Sequence, residues 1–264
     1  MYPVHVHIPF DMLEDHLGMI LKLKPDLEIA FGAFCLDRLK REEFSRVVRT
    51  LDYSPSVTFH APFQDLSSGA IDEKIRRISE KRILQVLNLS EYIKPLIVVV
   101  HTGYEKWRYG GLYDEFFRNS KRTFKRVIRE AERLNIRIAI ENVFEEDTYL
   151  IRNLIHEVGS EHLGHCFDIG HFNLFGKIPI QKWFEDLGHF IFELHLHDNR
   201  GRWDDHLAPG SGIIDFRLLF SLISQLPEKP ILTLEAHSKE EMIKGLERIK
   251  TFIGAVDQDD GFSM

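Results

Sequence analysis

The 264-residue chain carries 34 Lys and Arg against 41 Asp and Glu, a formal net charge of −7, and 44% of its residues are hydrophobic. That length suits one α/β barrel with a sizeable core, and the acidic balance supplies no global attraction to nucleic acid or to an anionic membrane surface. Two cysteines, Cys35 and Cys166, are too few for a disulfide framework, and no apolar run approaches the ~18 residues that span a bilayer, which speaks against a disulfide scaffold and against membrane insertion.

Short strand-like runs alternate with helix-like stretches eight times along the chain. The first strand is expected at Val4–Ile8, the second at Leu27–Phe31 and the third at Val57–His60. An amphipathic segment follows over Asp72–Leu89, where Ile75, Ile78, Leu84, Val86 and Leu87 form an apolar stripe beside a charged face. The fourth strand is expected at Leu96–His101, a helix at Arg118–Leu134, the fifth strand at Ile136–Glu141 and the sixth at Leu163–Asp168. Phe190–His195 is the seventh, followed by a helix at Phe216–Gln225, and Ile231–Glu235 is the eighth, followed by a helix at Glu240–Phe252. Most strands are β-branched or aromatic runs that end in an ionisable residue, and Pro25, Pro95, Gly159 and Pro230 punctuate the joins.

Repeated βα units build a parallel sheet, and eight of them predict a single closed (β/α)8 TIM barrel over residues 1–254. The remaining residues, 255–264, contain the aperiodic Asp257-Gln258-Asp259-Asp260-Gly261 and read as a polar tail. Basic residues at helical spacing, such as Lys121, Lys125 and Arg129, read as a solvated helix face. The segment Met1-Tyr2-Pro3-Val4-His5 lacks a basic region followed by an apolar stretch, so the expected setting is a reducing cytoplasm with no membrane partner.

In a closed parallel barrel all strands present their C-terminal ends on one face, so residues that end different strands meet there. Strands three and four end in His60 and His101, strand five in Glu141-Asn142, and strand six in Asp168-Ile169-Gly170-His171. Strand seven gives His195-Leu196-His197-Asp198-Asn199 and a loop with Asp204-Asp205-His206, and strand eight gives Glu235. A lone strand-end histidine is more often structural than a ligand. Nine donors from six units are another matter: His60, His101, Glu141, Asp168, His171, His195, Asp204, His206 and Glu235 predict two or three divalent ions. Nitrogen and oxygen donors suit zinc first, with manganese, cobalt or iron also accommodated. His5 and His7 on strand one, His197 and Arg200 are expected to contact substrate, and Phe10, Phe31, Trp107, Phe144 and Trp203 are candidates for the pocket wall. His16, His156, His162 and His189 are expected at the surface.

On these residues the chain resembles the xylose isomerase-like TIM-barrel superfamily, which includes sugar-phosphate isomerases and epimerases and the endonuclease IV class of apurinic-site nucleases. The resemblance covers nearly the whole chain and is carried by His60-Ala61-Pro62-Phe63, Glu141-Asn142, Asp168-Ile169-Gly170-His171 and His195 through Gly212. The isomerase branch implies one metal held by Glu141, Asp168, His195 and Glu235. The nuclease branch implies a trinuclear zinc centre that adds His60, His101, His171, Asp204 and His206. Where the nucleases have a Ser-Tyr-Leu loop after the first histidine, this chain has Ala61-Pro62-Phe63-Gln64, which points to a small phosphorylated or sugar-like substrate and away from DNA.

Two mechanisms fit those expectations. The surplus of ligands favours a phosphoester hydrolase with metal-activated water, in which Glu141 bridges ions and orients the nucleophile. The alternative is a sugar or sugar-phosphate isomerase or epimerase using one metal, with Glu141 and Glu235 as its acid/base pair.

Overall fold

The computed structural model describes residues 2–259. Eight strands close into one barrel: β1 (Val4–Pro9), β2 (Asp26–Ala30), β3 (Val57–His60), β4 (Ile97–His101), β5 (Arg137–Glu141), β6 (Leu163–Asp168), β7 (Ile191–Leu196) and β8 (Ile231–Leu234). Every neighbouring pair is parallel, and β8 returns to pair with β1. Each observed strand overlaps its expected run, with ends displaced by one residue at several places. Strand β2 begins at Asp26, because its amide ladder to β1 starts at the His5 pairing. Glu235 stands just beyond β8, its amide donating to the Leu196 carbonyl of β7 at 3.3 Å.

The closed sheet explains why the strands lack a hydrophobic-in, polar-out rhythm. All of Ile97, Val98, Val99 and Val100 are buried, since one face meets the barrel interior and the other meets helices. The outer layer holds most of the core. The longest complete helix, Tyr113–Leu134, buries Phe116, Phe124, Val127, Ile128 and Ala131 against the wall and stops where Asn135 takes a left-handed conformation. It starts five residues before the expected Arg118. The final helix runs Lys239–Asp259, past residue 254, and residues 260–264 of the expected tail lie outside the described residues.

The barrel interior is strongly polar. Ile97, Val99, Ala139, Cys166 and Ile231 form a small apolar cluster separate from the main core. His5, Glu28, Thr58, Glu193 and Thr233 are fully buried there too and bond to one another or to site residues. Pairing register then delivers the site: His101 lies beside Glu141, and Asp168 lies beside His195.

Candidate metal centre

Four residues from four strand ends converge on one atom. The Nδ1 of the fully buried His195 lies 3.2 Å from Glu235, 3.5 Å from Glu141 and 3.8 Å from Asp168. Its other ring nitrogen is 3.3 Å from Glu28, a buried acid on β2 that also accepts from His7 Nδ1 at 2.7 Å. A carboxylate only accepts, so Glu28 holds the proton on Nε2 and leaves the Nδ1 lone pair facing three carboxylates.

The other five expected ligands extend this cluster on two sides. His60 and His101 each place Nε2 3.0 Å from the same Glu141 oxygen. His60 donates its Nδ1 proton to the Ala61 carbonyl at 2.9 Å, which fixes Nε2 as the nitrogen aimed inward. On the opposite side His171 lies 3.1 Å from Glu141, 3.4 Å from Asp168 and 3.5 Å from Asp204, while His206 lies 3.0 Å from Asp204 and 3.5 Å from Glu235. All nine sequence-predicted ligands therefore meet.

Local sequence explains the precision. Asn142 uses both ends of its amide on the Asp168 backbone, accepting from its N–H and donating to its carbonyl, each at 2.9 Å. Asp168 caps the helix Ile169–Phe175 by accepting from the His171 amide at 2.6 Å. Gly170 is required because a Cβ there would fall 2.0 Å from the His197 ring. The β7 loop is tied by Asp198, whose carboxylate accepts from the amides of Asn199, Gly212 and Ile214 at 2.8, 2.7 and 3.2 Å. His206 sits on that loop with a positive φ of 49°, a conformation that costs energy for a non-glycine residue and is found at sites where position matters.

Buried carboxylates set the charge of the cluster. Burial disfavours ionised Glu141, but His101 and His195 hold it well below the usual carboxylate range, and Glu235 is depressed in the same way by His195 and His7. Burial likewise opposes a proton on His60, yet Glu141 overrides it and raises His60 to about 9. Buried carboxylates thus demand positive charge, which either imidazolium rings or bound cations supply. The nitrogens His195 Nδ1, His197 Nδ1 and His206 Nδ1 are buried without a hydrogen-bond partner. Orphaned ring nitrogens among carboxylates fit a divalent metal with N/O ligands. Sets within mutual reach include His60, His101 and Glu141; Asp168, His171 and His197; and His197, His206 and Glu235.

The expected substrate contacts divide. His7 lines a cleft of about 660 Å³ above the cluster and reaches Glu235 at 3.2 Å. His197 is buried within the ligand set, 3.1 Å from Asp168 and stacked on His206. His5 stands deeper in the barrel, bonded to Thr58 at 3.3 Å, and does not line the cleft. Arg200 is exposed on the β7 loop, 4.0 Å from Asp205, and does not line it either. Of the aromatic candidates Phe144 walls the cleft; Phe10 and Phe31 pack against Phe44 in the core, and Trp107 and Trp203 are exposed. Phe63, Tyr104 and Phe175 complete the wall. Glu28, His165 and His237 went unassigned by the sequence. The signal for Glu28 was an acid in the middle of an apolar strand, Leu27-Glu28-Ile29. His165 is structural, donating Nδ1–H to Ile140 and accepting from Trp183, while His237 stacks on His206.

A family model described as a xylose isomerase-like TIM barrel matches residues 24–252. The chain belongs to that family. Members of the xylose isomerase-like family typically bind divalent metals, and the donor set above fits that habit. The chain is 26% identical over 213 residues to the uncharacterized protein MJ1311 of Methanocaldococcus jannaschii, covering 78% of this chain and 73% of that one. Among solved structures it resembles a D-tagatose 3-epimerase-like protein, with TM-score 0.82, 23% identity and coverage of 98% and 99% of the two chains. It also resembles the TTHB071 protein from Thermus thermophilus soaked with ZnCl2, with TM-score 0.79, 22% identity and coverage of 96% and 98%. A D-psicose 3-epimerase solved in the presence of D-fructose aligns with TM-score 0.73 at 12% identity, over 90% of this chain and 86% of that one. These likenesses concern the fold. No described helix is long and apolar enough to cross a membrane.

Proposed function

We propose that this protein is a divalent-metal-dependent isomerase or epimerase of a small polyhydroxylated carbonyl compound. The observation that carries the reading is the placement of Glu141 and Glu235 within 3.5 Å and 3.2 Å of the same His195 nitrogen, at the floor of a cleft sized for a small molecule. Glu141, Asp168, His195 and Glu235 would hold a divalent ion, which would supply Lewis acidity toward a carbonyl oxygen. One of the two glutamates takes the proton from the carbon beside the carbonyl, and the C–H electron pair forms the carbon–carbon double bond of an enediolate. If the other glutamate enters the step protonated, it delivers its proton to the opposite face of that carbon and gives the epimer; return of the abstracted proton to the former carbonyl carbon, with the neighbouring hydroxyl proton passing to the former carbonyl oxygen, gives the aldose or ketose isomer. Each glutamate therefore serves as base in one direction and as acid in the other.

The cleft's charge favours this over the phosphoester hydrolysis expected from the ligand count. Arg108 is the one Lys or Arg among the described residues that line it, and Arg108 is engaged by Glu105 at 3.1 Å. Asp65, Glu105, Glu141, Glu145, Asp204 and Glu235 line the same space. A protein-supplied phosphate clamp is thus missing from the lining, and an uncharged sugar is the better electrostatic match. The epimerase names of the structural neighbours agree with this preference.

The multinuclear hydrolase stays as a second reading on one observation: His60 with His101, and His171 with Asp204 and His206, form donor groups on either side of the four-residue set. Metals per chain and activity separate the two. One essential ion and interconversion of free ketoses, lost in Glu141→Gln and Glu235→Gln, support the isomerase. Three ions, phosphoesterase activity and inert ketoses would reverse the choice.

A further inference from the structure

Interconversion of an aldose and a ketose needs one transfer that epimerisation does not. Both reactions move a proton on carbon, but the isomerisation also passes a hydroxyl proton from one substrate oxygen to its neighbour. Glu141 and Glu235 are committed to the metal set and to carbon, so the oxygens call for a further group beside them that both takes and gives a proton.

Strand β1 supplies such a group. Its side chains alternate, and His7 falls on the inward face with His5, one step nearer the cleft that it lines. Strand pairing sets His7 directly beside Glu28 of β2. The Nδ1 of His7 lies 2.7 Å from Glu28 Oε1 and 3.2 Å from Glu235 Oε1. Carboxylates accept, so Nδ1 carries the proton and the lone pair of the neutral ring is on Nε2, which has no hydrogen-bond partner among the described residues. Glu28 is fully buried and stands outside the nine donors, so a metal bound at Glu235 leaves this clamp in place. The His7 side chain is 23% exposed, which gives a molecule in the cleft access to it.

The other histidines on the cleft are placed differently. His60 and His101 turn Nε2 to Glu141, and His171 and His206 approach Asp204, so each is engaged by an acid of the donor set. His237 stacks on His206, with no carboxylate bonded behind it among the described residues. His7 combines an open nitrogen, a buried acid behind the ring and a position 3.2 Å from Glu235.

We infer that His7 carries the hydroxyl proton between two neighbouring substrate oxygens in the aldose–ketose interconversion, with Glu28 holding its tautomer. This inference rests on the proposed function. In the enediolate, Nε2 takes the proton of the hydroxyl, and the O–H electron pair becomes the π bond of the new carbonyl. The carbon–carbon double bond meanwhile takes the abstracted proton back from glutamate at the former carbonyl carbon. Nε2–H then gives its proton to the former carbonyl oxygen and the N–H electron pair returns to the ring, so His7 ends neutral and no further reactant is consumed. During the transfer Glu28 keeps a negative charge beside the imidazolium, as the buried aspartate of a Ser-His-Asp triad does. Epimerisation bypasses His7, because its carbonyl re-forms on the same oxygen.

Metal-loaded full-length protein incubated with free D-fructose, D-psicose, D-tagatose and D-sorbose in D2O separates the two transfers. Proton NMR reads the aldose formed and the deuterium incorporated into recovered ketose, and the wild type is expected to give both. His7→Asn keeps an amide N–H near the place of Nδ1 and lacks Nε2; it should lower the ratio of aldose to incorporated deuterium by about 10²-fold. Added imidazole should restore part of that ratio in His7→Ala, whereas a merely structural loss would lower both readings together and gain nothing from imidazole. Melting temperatures verify folding, and His7→Gln serves if His7→Asn does not fold. Nitrogen-15 NMR of histidine-labelled protein at about pH 8, without sugar, reads the tautomer directly: the signal pair missing from the variant should be a protonated Nδ1 and a bare Nε2. A proton on Nε2, or a ratio unchanged in the variants, would overturn the assignment. Deuterium and epimer without aldose from the wild type would remove the carrier and leave the proposed function standing; no deuterium from any sugar at full metal occupancy would remove both.

Discussion

Glu28 does not line the cleft, yet it decides which nitrogen of His195 faces the metal set. Holding the Nε2 proton at 3.3 Å, it leaves Nδ1 among Glu141, Asp168 and Glu235. Loss of such an orienting carboxylate typically costs about 10–100-fold in metal affinity. Glu28→Gln is accordingly expected to weaken manganese or cobalt binding by about tenfold and Glu28→Ala by more, read by calorimetric titration. Equal affinities in wild type and both variants would mean that His195 orients itself. If Glu141 and Glu235 are the acid/base pair proposed above, Glu141→Gln or Glu235→Gln should lower turnover by about 10²–10⁴-fold. The two kinds of residue differ in how far sequence exposes them. His60, His101, Glu141 and Asp168 end strands, and barrel topology alone gathers strand ends. Glu28 sits inside a strand buried on both faces, where alternation carries no inward or outward sign. Arg200 misled for the opposite reason: its loop neighbours Asp204 and His206 join the donor cluster, but its own side chain turns to solvent beside Asp205.

The β7 loop shows how an element supports a site. Residues 199–212 leave the barrel and return to it, and Asp198 anchors both limbs through three backbone amides and a bridge to Leu207. Deleting that carboxylate strands one buried donor, Asn199 N–H, worth about 1–3 kcal/mol if left unpaired, and two part-buried ones, Gly212 N–H and Ile214 N–H, that cost less. Asp198→Ala should therefore lower the melting temperature by several degrees and weaken metal binding together, because Asp204 and His206 ride on the loop. A melting point unchanged from wild type would show the loop to be held elsewhere. Turn residues such as Pro209-Gly210-Ser211-Gly212 marked this loop in the sequence. Its anchoring by Asp198 was not legible, since an aspartate beside a ligand histidine reads equally well as a substrate contact.

Across the whole molecule, alternation of strand and helix runs was enough to specify the barrel, and strand-end chemistry was enough to place the nine donors. Function was harder, because counting ligands says nothing about the cationic side chains a phosphate needs, and those depend on which loops line the cleft. Global stability carries its own signature. His165 is fully buried and neutral, donating to Ile140 and accepting from Trp183, and burial lowers it to about 4 from 6.5. A depressed folded-state value contributes stability that is complete above pH 6.5 and is lost as pH falls through 4, about 3 kcal/mol in full. Chemical denaturation at about pH 7 and about pH 4.5 should record that loss ahead of the carboxylates, with a smaller difference in His165→Gln. An identical pH dependence in the variant would assign the loss to other groups.

Movement of a carbon-bound proton by Glu141 and Glu235 is the step on which the proposed function turns. Metal-loaded protein incubated with a panel of free ketohexoses in D2O, followed by proton NMR, tests it most directly. Deuterium should enter at a carbon beside the carbonyl of at least one sugar, with epimer or aldose appearing, and Glu141→Gln should abolish the exchange. Absence of exchange from every sugar at full metal occupancy would contradict that role for the two glutamates.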